Sequence, residues 1–170
     1  KSKRSAAQSY YSQGLAQLSR DDYTRAAALF EKAVEIDPNY AEAWYQAGFS
    51  YGMLGRHQEA LKSSRQAAKL RPEWSETYIN IGASSFALGQ FKDAVDSYRQ
   101  AAKLDADNAD VQYALGLSLG RLGRGDEEVL AYRRALAIKS DYVPAIEQLG
   151  LAYFRQKRHA DALAVFGLHT

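Results

Sequence analysis

Few residues in this chain could carry covalent or acid–base chemistry. The histidines are His57, His159 and His169, and there is no cysteine. Without Cys there are no disulfides, no thiol nucleophile and no Cys-based zinc site. His57 and His159 recur in register with Tyr23 and Phe91, which reads as an aromatic packing position at a helix turn. No HExxH, GxSxG, phosphate-loop or dinucleotide-binding glycine pattern occurs. Arg124-Gly125-Asp126 spells a three-letter adhesion motif and reads as a turn. Asp126-Glu127-Glu128 could hold a hard cation, but three acids in the first turn of a helix are favoured by its dipole. The expectation is a non-enzymatic chain with no catalytic residue, no cofactor and no metal. The chemistry that remains is recognition by aromatic, apolar and amide side chains.

Those side chains recur at a fixed spacing. In the stretch Ala41 to Trp74, the residues Trp44, Gly48 and Tyr51 fall on one stripe of a first helix. Ala60, Leu61 and Ala67 fall on the packing face of a second. Gly55 separates the two and Pro72 closes the unit, as a helix pair ending at Gly and then at Pro should. With units starting at residues 7, 41, 75, 109 and 143, the eighth position is Gly14, Gly48, Gly82, Gly116 and Gly150. A helical Gly costs about 1 kcal/mol relative to Ala. Five in one register imply a partner helix too close to admit a Cβ. The twentieth position is Ala26, Ala60, Ala94 and Ala162, with Glu128 as the exception. The twenty-fourth is Phe30, Tyr98, Tyr132 and Phe166, with Ser64 in the second unit.

This pattern resembles the tetratricopeptide repeat, whose aromatic, Leu-Gly, Tyr, Ala, aromatic, Ala and Pro positions return every 34 residues. The resemblance implies an all-α fold, a right-handed superhelical solenoid of antiparallel helix pairs. Residues 1–170 are read as one domain, with repeats 7–40, 41–74, 75–108, 109–142 and a truncated 143–170. Ser64 replaces the aromatic of the second unit, Ala106 and Ser140 replace the prolines seen at Pro38 and Pro72, and Glu128 replaces a packing Ala, which leaves the fourth repeat, with both Glu128 and Ser140, the least regular. Gly55, Gly89 and Gly123 are expected to stop first helices, with Lys157 in that place in the fifth repeat. Asn39 and Glu42 read as a capping pair for the helix that follows.

In this family the first helix of each pair lines a concave groove. Carried over by register, the groove residues are Tyr11, Tyr45, Gln46, Phe49, Met53, Ile79, Asn80, Phe86, Tyr113, Leu117, Arg121, Gln148, Phe154 and Arg155. The apolar members form a stripe that core packing does not obviously require, and such a stripe marks a binding surface. Gln46, Asn80 and Gln148 make an incomplete amide ladder able to pair with a peptide backbone. Arg121 and Arg155 are expected to attract an acidic ligand segment. The carboxylate clamp of the chaperone-tail-binding members is absent, because its positions hold Tyr11, Leu15, Gln46, Glu76 and Asn80.

The resemblance implies a protein-interaction scaffold that takes a partner peptide or helix segment in the groove. One alternative is a self-associating assembly module. The chain stops before the fifth second helix reaches its usual length, and Leu163, Val165 and Phe166 are left as a candidate contact with a second copy. Another is a docking domain cut from a larger enzyme. A net charge of +2 and acids at Glu42, Glu76 and Asp110 disfavour nucleic acid as partner. No apolar run is long enough to cross a membrane. The start at Lys1-Ser2-Lys3, without Met, reads as a processed or trimmed end of a longer protein. A cytoplasmic location is favoured, and a periplasmic one stays open should a targeting segment have been removed.

Overall fold

A computed structural model describes residues 2–167; Lys1, residues 168–170 and with them His169 lie outside the described residues. Ten α-helices and no strand are found among the described residues. The helices are α1 (Lys3–Leu18), α2 (Tyr23–Ile36), α3 (Ala41–Met53), α4 (His57–Leu70), α5 (Ser75–Ala87), α6 (Phe91–Leu104), α7 (Ala109–Arg121), α8 (Gly125–Ile138), α9 (Val143–Arg155) and α10 (His159–Val165). The first helices α3, α5, α7 and α9 start 34 residues apart, and so do the second helices α2, α4, α6, α8 and α10. The chain divides into two compact units, Lys1–Gly89 and Gln90–Thr170. The first holds α1 to α5 and the second α6 to α10. Within each unit every helix packs on the next.

The turn chemistry follows the sequence closely. Gly55, Gly89 and Gly123 have φ of 73°, 75° and 72°, the left-handed conformation that needs no Cβ. The same turn is made without glycine by Asp21 and Lys157, at φ of 56° and 60°. The Asp22 carboxylate then caps α2, accepting from the Arg25 N–H at 3.0 Å. The expected capping pair of Asn39 and Glu42 does not form. Tyr40 is the residue that starts α3, without a side-chain cap, and the Asn39 N–H donates to Asp37 instead. The basic lead is also more ordered than its composition suggests. Ser2 caps α1, while Arg4 pairs with Asp37 and lies 3.7 Å from the Tyr40 ring centroid.

The eighth-position glycines have a physical cause. A Cβ on Gly14 would meet the Phe30 ring at 2.5 Å. Gly116 stands in the same relation to Tyr132, and Gly150 to Phe166. In these three repeats the aromatic at the twenty-fourth position takes the space a Cβ on the glycine would need. In the second repeat Ser64 replaces the aromatic, and its hydroxyl and the α4 backbone close on Gly48 instead. Phe30 and Tyr132 are fully buried, and Ala26, Ala33, Ala60, Ala67, Ala94, Ala101 and Ala135 are 0% exposed. Small buried alanines on the second helices and a large ring at the twenty-fourth position of every repeat but the second build the helix-pair contacts.

The fourth repeat departs from this scheme at Glu128, which is 3% exposed. Its carboxylate accepts from the Arg155 guanidinium at 2.7 Å and from the Tyr132 hydroxyl at 3.2 Å. Gly120 makes the room, since a Cβ there would meet Glu128 Oε1 at 2.7 Å. In the second repeat the corresponding Gly52 faces open space. Burial, then the Glu128 charge, pushes the Tyr132 phenol far above its ordinary range.

Candidate recognition surface

In both units the first-helix tyrosines turn out to be packing residues as much as groove residues. Tyr11 contacts Phe30 and Tyr40, with ring centroids 5.7 and 5.0 Å apart. Tyr113 repeats this with Tyr132 and Tyr142, at 6.1 and 5.7 Å. Tyr45 has no aromatic at the Ser64 position and packs on Trp74 alone, at 4.5 Å. Each tyrosine thus packs on the last residue of its own repeat, and all three are half-buried. Leu117 is likewise half-buried against the cluster of Val129, Tyr132 and Leu149. The expectation that core packing does not require this stripe is corrected for these four residues. The aromatic at the repeat's final position, present at Tyr40, Trp74 and Tyr142, was the overlooked signal.

Phe49 (38% exposed) and Met53 (52%) are left open in the first unit, and Leu151 (51%) and Phe154 (62%) in the second. Phe49 and Met53 stand beside a recess of about 210 Å³, together with Gly48, Gly52, His57, Asn80, Ala83 and Ser84. Gly52 adds no side chain to this recess, at the register where Leu18, Phe86 and Phe154 stand in other repeats. Two buried polar atoms at this recess, His57 Nδ1 and Asn80 Nδ2, have no hydrogen-bond partner. Gln46 is half-buried on α3. Ile79, Phe86 and Gln148 are half-buried.

In the second unit the equivalent register gives a more apolar recess of about 350 Å³. Gly150, Leu151, Phe154, His159, Ala162, Leu163 and Phe166 line it, with the Phe154 and His159 rings 5.2 Å apart. Phe154, expected in the groove, and Leu163 and Phe166, expected at a self-association surface, therefore share one recess. In the first unit α5 supplies the third wall through Asn80, Ala83 and Ser84. Val165 is corrected: it is half-buried and packs inward on the Val129–Tyr132–Leu149 cluster. Phe166, 43% exposed, keeps one ring face on Gly150 and the other side open.

The charged residues are mostly committed. Arg155, expected to draw in an acidic ligand, is paired with buried Glu128. The Arg121 guanidinium lies 5.4 Å from the Phe91 ring centroid. Glu42 pairs with Arg71, and Asp110 accepts from Tyr142. Burial acts to raise the Glu42 carboxyl, but a backbone N–H and Arg71 outweigh it and hold it below its usual range. Burial and the Asp110 carboxylate push the Tyr142 phenol up to about 12. His57 and His159 sit where the aromatics Tyr23 and Phe91 sit. Among the described residues no group of His, Asp or Glu side chains is arranged to hold a metal, and no helix is long and apolar enough to cross a membrane.

The comparisons agree with this architecture. Profiles of the TPR repeat match residues 84–123, and profiles of the tetratricopeptide repeat match 29–62 and 7–40. Between them they cover more than half of the chain. An uncharacterised protein of Methanocaldococcus jannaschii is 35% identical over 54 residues, which are 32% of this chain and 63% of that protein. The chain thus spans under two thirds of that relative's length. The crystal structure of MamA superposes with a TM-score of 0.88 at 26% identity, covering 91% of each chain. YrrB, described as a TPR protein with an unusual peptide-binding site, superposes with a TM-score of 0.83 at 23% identity. That match covers 94% of this chain and 82% of YrrB, and it bears on the fold alone. The chain belongs to the tetratricopeptide-repeat family, a family and fold typical of non-enzymatic protein-interaction scaffolds.

Proposed function

We propose that residues 1–170 form one interaction domain that receives an extended or helical segment of a partner protein on its first-helix face. The observation that carries this reading is the pairing of exposed anchors with a preformed recess. Phe49 and Met53 are solvent-exposed beside a recess containing the unpaired Asn80 amide. An apolar side chain of the partner fills the space over Gly52, and its backbone satisfies Asn80. A preformed surface lowers the ordering cost of binding, and large apolar anchors around a pocket dominate such energetics. The presence of a peptide-binding site in YrrB is consistent with this use of the fold.

The test uses a random dodecapeptide library selected on the whole chain. Selected peptides are expected to lose at least tenfold in affinity against Phe49→Ala with Met53→Ala, about 2 kcal/mol for two anchors. The unfolding midpoint should fall only modestly, because Met53 is exposed and Phe49 loses chiefly its edge contact with Tyr23, at 6.3 Å between ring centroids. Equal binding by the double variant would remove the recess from the reading.

A second reading is favoured by the recess of the second unit. Its lining is apolar, and Leu151, Phe154, Leu163 and Phe166 stand exposed around it, so a second copy of the chain is the occupant this reading names. Light scattering across a concentration series is expected to show a dimer or larger species for the parent and a monomer for Leu151→Gln with Leu163→Gln. Those two residues are chosen because Phe166 also packs on Gly150. A parent that stays monomeric at high concentration rules this assembly out.

A further inference from the structure

Gln112 opens a cleft on the second-helix side of the second unit. Its register position is an aromatic in the first three repeats, Tyr10, Trp44 and Tyr78. In the first unit those rings do a specific job at the junction with the preceding repeat. Trp44 Nε1 donates to the Pro38 carbonyl at 2.8 Å, and the Tyr78 hydroxyl donates to the Pro72 carbonyl at 2.8 Å. At the junction of the third and fourth repeats, Gln112 of the fourth stands in place of the ring and Ala106 of the third in place of the proline. A cleft of about 610 Å³ lies there, with α7 as its floor and α6 and α8 as its walls. Gln112, Leu115 and Leu119 form the floor and are 8%, 4% and 2% exposed. Leu130 and Ile138 on the wall are 46% and 37% exposed.

Two features say what the cleft accepts. Gln112 Oε1 is buried without a hydrogen-bond partner, and among the described residues no side chain donates to the Ala106 carbonyl. An orphaned buried acceptor is costly, so the guest must bring a donor. The rim is cationic, with Arg99, Lys103 and Arg134 against the single acid Glu127. Glu127 is already shared by Arg99 and Arg124, and Lys103 and Arg134 make no ion pair among the described residues. We infer that this cleft binds the indole or phenol ring of a Trp or Tyr on a partner protein, flanked in that partner by carboxylates. The ring takes the volume that Trp44 and Tyr78 fill in their own repeats. Its N–H or O–H serves Gln112 and Ala106, and the carboxylates pair with Lys103 and Arg134. The surface is separate from the first-helix recesses, so a partner could engage either without the other.

The probe is an acetylated, amidated peptide Glu-Asp-Trp-Asp-Glu, titrated into the whole chain by NMR. The methyl resonances of Ala102, Ala131 and Ile138 are expected to shift with saturation. Methylating the indole nitrogen, or exchanging the acids for lysines, should weaken binding at least fivefold. Gln112→Trp fills the cleft from within and should lose at least tenfold, with an unfolding midpoint no lower than the parent's. Lys103→Glu with Arg134→Glu changes exposed residues only and should prefer the lysine-flanked probe. Phe49→Ala with Met53→Ala should bind the probe as the parent does. A probe that shifts no cleft resonance, or a folded Gln112→Trp that binds it equally, overturns the inference. So does a parent oligomer that Gln112→Trp dissociates, since the occupant would then be a second copy.

Discussion

Replacing Arg155 with Leu is expected to destabilise the fold by about 3 kcal/mol, the usual cost of stranding one member of a buried ion pair. The loss does not come from the arginine, whose side chain is 55% exposed, but from Glu128, whose side chain is 4% exposed. With Arg155 gone, only the Tyr132 hydroxyl is left to serve that carboxylate. Glu128→Ala should cost less, about 1.5 kcal/mol: the half-exposed guanidinium can turn to water, and the loss is chiefly the buried Tyr132 hydroxyl left without its partner. The two single changes are therefore unequal, and their combination should recover at least half of the Arg155→Leu loss. Urea unfolding followed by circular dichroism measures all three. Additive losses would mean that Arg155 acts elsewhere, and its assignment to an acidic ligand would then regain support.

Phe30→Ala is expected to cost about 4 kcal/mol, as for other fully buried aromatics. The sharper expectation concerns its glycine. In the parent, Gly14→Ala should destabilise by about 1–2 kcal/mol, because the new Cβ would stand 2.5 Å from the Phe30 ring and overpacking outweighs the gain in helix propensity. In the Phe30→Ala background that clash is absent. There Gly14→Ala should be stabilising, by up to about 1 kcal/mol. The sign of one substitution reverses with the identity of one residue on the partner helix. A Gly14→Ala effect of the same sign in both backgrounds would show that the glycine is needed for another reason, such as flexibility of α1. This coupling explains a glycine at the eighth position beside Phe30, Tyr132 and Phe166.

Much of the architecture was legible because a helix pair that cannot bury its own face must be copied. The 34-residue spacing and the Gly55, Gly89 and Gly123 turns follow from local rules that one repeat displays and the others confirm, whereas the eighth-position glycines Gly14, Gly116 and Gly150 make room for the twenty-fourth-position aromatic rather than for an alanine. The recognition surface was less legible. Register alone placed Tyr11, Tyr45 and Tyr113 on the groove side, and the structure packs each against the last residue of its own repeat. Those partners lie 29 residues further on, and no local pattern says that two rings so far apart will meet. Val165 and Phe166 are neighbours in sequence, yet one packs into the core and the other stays half open. Their difference is set by Gly150 and Leu149 on the facing helix.

The sequence by itself determined the repeat, its helix boundaries to within a residue or two and the places where glycine is obligatory, since these depend on periodicity and backbone sterics. Tertiary structure alone decided where the irregular residues act. Glu128 looked like a lost packing alanine and is the centre of a buried ion pair, because Gly120 and Arg155 come from other helices to house and neutralise it. Gly52 and Gln112 each border a cavity, at registers where Leu18 or Phe86 and Trp44 or Tyr78 stand in other repeats. A repeat pattern prescribes the average contact. The exceptions are set by which side chains, far apart in the chain, compete for the same volume and charge.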